Sequence, residues 1–190
     1  MTTAPAHRSR FRSLAALAGA LALVASGSTT AQGLQSDPGS GGTGAGPAPG
    51  LAFLLGDFRC AYTDFTLAEP VTVNVDWNTE ETLGGAFYEM HLTGATPPFE
   101  GRWVFGRNAV DDTFVSFYWD TWGNTGTATS EGWNRNGTLR FKGPYVTPAG
   151  HLASKDEFRI VDADRFTDDA FVKFPGGQWK AISHVDCRRN

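Results

Sequence analysis

Val71-Thr72-Val73-Asn74-Val75-Asp76-Trp77 alternates apolar and polar side chains without a break. Successive side chains on a strand point to opposite faces, so a period of two describes a strand with one buried face; an amphipathic helix would need a period near 3.6. The alternation returns in Val115, Phe117 and Trp119, and again in Trp179, Ala181, Ser183 and Val185. Turn signals separate these runs at short intervals: Gly84-Gly85, Pro97-Pro98, Asp111-Asp112, Gly123-Asn124, Asn136-Gly137, Pro148-Ala149-Gly150, Asp162-Ala163-Asp164 and Pro175-Gly176-Gly177. Such spacing predicts an all-β domain over residues 51–190, an antiparallel up-and-down barrel of roughly nine to ten strands or a sandwich, without the helical crossovers of a parallel sheet. Only Leu51–Leu55 reads as a helical turn, and it precedes the first strand, where it is placed to plug one end of a barrel.

The same parity locates the two cysteines. Phe58, Cys60 and Tyr62 share a face of the first strand; Trp179, Ala181, Ser183, Val185 and Cys187 share a face of the last. A Cys60–Cys187 disulfide would therefore join first strand to last on their apolar faces, where a barrel must close. It would enclose almost the whole domain, a loop for which the chain-entropy model gives about 4 to 5 kcal/mol as an upper figure.

A disulfide suits export, and the amino terminus agrees. Residues 1–12 carry Arg8, Arg10 and Arg12 without an acid and lead into an apolar run from Leu14 to Ala25, with small Thr29 and Ala31 beyond it. This reads as a secretory signal peptide over residues 1–31, too short in its apolar part to span a membrane. Residues 32–50 read as a disordered linker rich in Gly, Pro and Ser. The run Gly39 to Gly44 matches the spacing of a dinucleotide-binding loop, but no strand precedes it and no helix follows. The expected location is secreted or periplasmic. Loss of residues 1–31 would remove three Arg and no acid, so the 16 basic groups become 13 against 20 acidic ones, a formal charge of −7. With no basic surplus to neutralise phosphates, a nucleic-acid partner is not expected.

Leu54-Leu55-Gly56-Asp57-Phe58, then Leu83-Gly84-Gly85-Ala86-Phe87, Phe99-Glu100-Gly101-Arg102, Gly106-Arg107-Asn108, Trp119-Asp120 and Glu131-Gly132-Trp133 follow in an order that resembles a bacterial family known as domain of unknown function 1579. The resemblance covers essentially all of residues 51–190 and implies a lipocalin-like, or calycin, barrel. Two places depart from it. The opening has Gly-Asp-Phe where these barrels commonly have Gly-x-Trp, and Gly106-Arg107-Asn108 stands where Gly-Tyr-Asp is usual. The resemblance implies a fold and leaves the activity open.

No nucleophile motif occurs, and Ser116, Ser130, Ser154 and Ser183 lack an activating neighbour in sequence. The acid pairs Glu80-Glu81, Asp111-Asp112 and Asp168-Asp169 read as solvated residues beside turns. His91, His151 and His184 are too scattered and too outward in parity for a three-ligand metal site. Haem held by His184 on the last strand, as in nitrobindin-like barrels, is disfavoured by the same parity, so no cofactor is expected. The informative segment is Phe117-Tyr118-Trp119-Asp120-Thr121-Trp122, an acid among aromatics, because aromatic walls with a few polar groups are what a small-molecule cavity needs. The expected lining is Tyr88, Met90, Trp103, Phe105, Phe117 and Trp119, with Tyr62, Asp120 and Arg102 as polar groups near the mouth. The leading expectation is a non-enzymatic barrel binding a small apolar or amphipathic molecule. The alternatives are an isomerase, cyclase or hydrolase using Asp120 with Tyr88 or Arg102, and a structural or interaction barrel with a filled core.

Overall fold

The computed structural model describes residues 50–190. The signal-peptide reading, the Gly39–Gly44 match and nearly all of the linker lie outside the described residues. Ten strands run in chain order: β1 (Gly56–Asp64), β2 (Val71–Thr82), β3 (Phe87–Ala95), β4 (Pro98–Asn108), β5 (Thr113–Asp120), β6 (Thr125–Ser130), β7 (Thr138–Thr147), β8 (Gly150–Asp162), β9 (Arg165–Lys173) and β10 (Trp179–Arg189). Each pairs antiparallel with the next, and β10 returns to β1, closing the barrel. Closure leaves no edge strand to recruit a foreign one. The only helical elements among the described residues are two 3-10 turns, Ala52–Leu54 and Leu83–Gly85. No helix among them is long and apolar enough to cross a membrane.

β2 follows its sequence pattern: Val75 and Trp77 are buried while Thr72, Asn74 and Asp76 are exposed. On β1 and β10 the inward positions include Phe58, Cys60, Val185 and Cys187, all nearly or fully buried. Cys60 lies directly opposite Cys187 in the β1–β10 ladder, and the two form a disulfide.

One end of the barrel is filled. Leu51 and Leu54 of the opening turn are buried there, and Phe53 places its ring 5.4 Å from both Trp133 and Phe166. Phe58, Met90, Phe105, Leu139, Phe141, Phe158 and Phe166 complete this base, each at most 1% exposed. Phe158 is its hub, with ring centroids of Trp103, Phe105, Phe53, Phe141 and Phe166 at 5.4, 5.8, 6.1, 6.1 and 6.3 Å. The opening turn therefore plugs the barrel, as its place before β1 suggests.

Two facing assignments are corrected by the structure. On β5 the inward set is Ser116, Tyr118 and Asp120; Phe117 and Trp119 point outward, 43% and 45% exposed. Both alternating sets on this strand contain aromatics, and the more apolar one faces out because the other supplies polar groups to the interior. On β10 the register shifts between Ala181 and Ser183, a β-bulge at Ile182. An extra residue reverses parity. Ser183, Val185 and Cys187 keep the inward face, whereas Trp179 and Ala181 are exposed. Asp168-Asp169 is a third departure: the pair lies within β9, and Asp168 is 3% exposed on the inner face rather than solvated beside a turn.

β6 and β7 approach so closely that a Cβ on Gly143 would lie 1.8 Å from the Thr127 carbonyl oxygen. Only glycine fits that crossing. The outer face of β7 to β10 carries a network of ion pairs centred on Glu157 and Asp169 and a separate Arg165–Asp186 pair. Glu157 accepts from Arg140 Nε at 2.8 Å and from Arg159 at 3.2 Å, with Lys155 Nζ 2.9 Å away. Asp169 receives Arg159 at 2.6 Å and His184 Nδ1 at 2.7 Å, and Arg165 clamps Asp186 with two bonds of 2.8 and 2.6 Å.

Candidate functional site

The other end of the barrel is hollow. Above the aromatic base lies a cavity of about 450 Å³, within the range of small-molecule sites. Its apolar wall comes from β2, β3 and β4, through Val73, Val75, Trp77, Leu92, Phe99 and Trp103. Its rim is apolar and exposed: Leu67, Val71 and Trp122 are 54%, 45% and 52% accessible, and the Phe99 ring lies tilted against Trp122 with centroids 4.9 Å apart. The opposite wall is polar. There β1, β5, β7, β8, β9 and β10 present Tyr62, Tyr118, Tyr145, Asp156, Asp168 and Ser183.

Asp120 sits in the wall toward the β5–β6 turn, and its carboxylate is saturated. Tyr118 Oη donates to Oδ2 at 2.8 Å, as does Asn124 Nδ2 at 2.8 Å; the backbone N–H groups of Trp122 and Asn124 donate to Oδ1 at 2.9 and 3.0 Å. An acid with four donors orders the turn and fixes Tyr118.

Asp156 and Asp168 stand differently. Asp156 stands two residues before Phe158 on β8 and Asp168 two residues after Phe166 on β9, on the same inward faces, so they meet the cavity where the aromatic base ends. Asp168 Oδ1 has no hydrogen-bond partner. Burial pushes Asp168 well above the usual carboxyl range, with the neighbouring charges of Asp156 and Asp169 adding to the effect. Burial also pushes Asp156 up to about 7. The three tyrosines are raised in turn: Tyr118 and Tyr145 by burial and then by the charge of Asp120, Tyr62 by burial and then by Asp64.

These shifts predict an unusual stability profile. A carboxyl raised in the folded state contributes stability that is full below its unfolded value and is lost as pH rises through the folded one. Asp156 gives the window, from about 4 to about 7, and the loss is on the order of 2 to 4 kcal/mol. Urea unfolding of the ligand-free protein is expected to show lower stability at pH 7.5 than at pH 5, with Asp156→Asn reducing the difference and leaving the part that Asp168 contributes. Stability that stays level or rises across this window in the wild type would mean that burial does not hold the floor carboxyls protonated.

The residues anticipated from sequence divide into three groups. Tyr62, Trp103 and Asp120 line the cavity. Met90 and Phe105 are fully buried in the core beneath it, with Tyr88 half-buried against that core. Arg102, Phe117 and Trp119 lie on the outer face, Arg102 with its Nε 4.0 Å from Glu89. Tyr88 is therefore apart from Asp120, whereas Arg102 and Asp120 both line a second pocket with His91, Glu100 and Thr121, outside the barrel cavity's lining. His184 faces outward onto Asp169, His91 lies 3.4 Å from Glu89, and His151 is exposed near the start of β8. Sequence reasoning missed Tyr118, Tyr145, Asp156 and Asp168. The alternation Phe166, Asp168, Ala170, Val172 carries the signal for the last of these, since an acid in an otherwise apolar inward set marks a polar group aimed inside.

Comparison with known proteins supports the architecture. A structure from Mycobacterium tuberculosis, Rv2717c, is similar with a TM-score of 0.52 at 11% identity, covering 74% of this chain and 94% of that one. A protein of unknown function from the DUF3598 family of Nostoc punctiforme is similar at a TM-score of 0.41 and 10% identity, over 76% of this chain and 50% of that one. At such identities the likeness to Rv2717c speaks for the fold alone. No curated protein matches the chain. The family described as "Protein of unknown function (DUF1579)" matches residues 51–189, which takes in the plugging turn and every strand that closes the barrel, and the chain therefore belongs to that family.

Proposed function

We propose that this barrel is an exported carrier or receptor for a small amphipathic molecule, which it binds without altering it. The observation that carries the reading is the division of the interior: a base packed solid with aromatic rings, and above it a cavity of about 450 Å³ with one apolar and one polar wall. A barrel serving only as a scaffold gains stability by filling its interior throughout, because each void forfeits packing contacts. Here large side chains fill one half, while Gly94, Ala128 and Ala170 stand among the cavity-lining positions. The exposed rim of Leu67, Val71 and Trp122 gives an apolar ligand a surface to meet before it enters. Export is supported by the disulfide, which is at home in an oxidising compartment.

The test is titration with the uncharged fluorophore N-phenyl-1-naphthylamine. The expected result is saturable binding at one site, abolished in Ala170→Phe, which puts a ring into the cavity. Absence of saturable binding in a folded wild-type protein, or unchanged binding in a folded Ala170→Phe variant, would overturn the reading.

A further inference from the structure

We infer that the ligand carries a protonated amine, and that Asp168 and Asp156 at the cavity floor are its seat. The inference rests on the binding role proposed above and narrows it to a class of molecule. Its first support is the distribution of charge. Four aspartates line the cavity, Asp64, Asp120, Asp156 and Asp168, and among the described residues no Lys, Arg or His does. On the outer face of the same strands the acids Glu157, Asp169 and Asp186 are matched by Lys155, Arg140, Arg159, Arg165 and His184. These three outer acids have basic partners within the chain, and the four that line the cavity have none there. Asp120 is satisfied by its turn, and Asp64 accepts from Thr66. What remains is Asp168, 3% exposed, lining the cavity, with Oδ1 unpartnered.

A buried polar group without a partner is costly, and an ammonium group would satisfy it as both donor and counter-charge. The aromatic rings of Tyr62, Tyr118, Tyr145 and Trp103 among the lining suit a cation better than an anion, since a ring's π face attracts positive charge. A fatty-acid-like carboxylate would meet four acids and no base. The groups that titrate toward this space are Tyr62 and Asp64 from β1, Tyr118 and Asp120 from β5, Tyr145 from β7, Asp156 from β8 and Asp168 from β9; β2, β3, β4, β6 and β10 contribute none to the lining. When an amine binds, floor carboxyls that are protonated in the empty barrel release a proton. Amine affinity therefore rises with pH between about 5 and 8, by at most about tenfold per unit for each proton released. A neutral ligand that accepts a hydrogen bond from a protonated Asp would show the opposite slope.

The experiment displaces bound N-phenyl-1-naphthylamine from the full folded domain with three compounds of similar shape: tryptamine, tryptophol and indole-3-propionate. Tryptamine is expected to displace at about tenfold or more lower concentration than tryptophol at pH 7.5, with indole-3-propionate weakest, and to gain affinity from pH 5 to 7.5. In Asp168→Asn, and independently in Asp156→Asn, the tryptamine-to-tryptophol ratio is expected to fall toward one and the pH slope to flatten. Saturable fluorophore binding with tryptophol equal to or better than tryptamine, or with amine affinity falling as pH rises, would overturn the amine seat and leave the binding barrel standing. Failure of the fluorophore itself to bind would remove both.

Discussion

Truncating Phe158 to alanine is expected to cost about 3 to 5 kcal/mol of folding stability, the largest loss from any single core substitution in this barrel. The ring is fully buried and shares contacts with five others, so its removal leaves a cavity that the surrounding rings cannot close without abandoning their own contacts. The site is also the boundary between the solid base and the hollow half. A void there would merge with the cavity through Trp103, which both touches Phe158 and lines the space above it. The predicted signature is thus double: a melting temperature lower by roughly 10 °C or more, and looser binding of the fluorophore. Phe117→Ala is the matched control, since that ring faces solvent and its loss should cost under about 1 kcal/mol. Comparable losses at the two positions, measured by urea unfolding, would contradict the division of the interior described here.

The contrast between Phe158 and Phe117 also shows where sequence was sufficient. Val73, Val75 and Trp77 announce an inward face because their alternates, Thr72, Asn74 and Asp76, are polar, so hydrophobicity alone decides the parity. Cys60 and Cys187 fall on inward faces by the same rule, and the opening turn is recognisable by its apolar residues ahead of β1. β5 defeats the rule. Its two alternating sets, Val115, Phe117 and Trp119 against Ser116, Tyr118 and Asp120, are separated by polarity in the direction opposite to burial, because the inward set lines a cavity rather than a packed core. A single bulge at Ile182 detaches Trp179 from the face of Val185, and no local feature of the sequence marks that extra residue. The polar floor is the deepest omission. Asp156 and Asp168 lie on different strands, and only the pairing of Asp156 with Ala170 and of Phe158 with Asp168 brings them side by side. Places where a local rule fails are where a structure departs from stability for another end, and the failures here gather around one cavity.

Removal of the Cys60–Cys187 bridge is expected to lower stability by about 2 to 5 kcal/mol while leaving the folded spectrum unchanged. The two residues are 127 apart in sequence, and the bond ties together the first and last strands of a barrel whose other neighbours are joined by short turns. Every ladder from β1–β2 to β9–β10 closes a small loop; only β1–β10 must gather the two ends of the whole domain. The bridge acts chiefly by forbidding unfolded conformations in which those ends are far apart, because the folded seam already has seven registered residue pairs from Phe58–Arg189 to Asp64–Ser183. The double variant Cys60→Ala with Cys187→Ala avoids burying new polar atoms at positions that are fully enclosed. Its urea midpoint should fall to that of the wild type under reducing conditions, with near-ultraviolet circular dichroism retained in the absence of urea. A loss below about 1 kcal/mol would show that β1 and β10 are held together before the barrel folds, and a lost native spectrum would show that the seam cannot form without its covalent link.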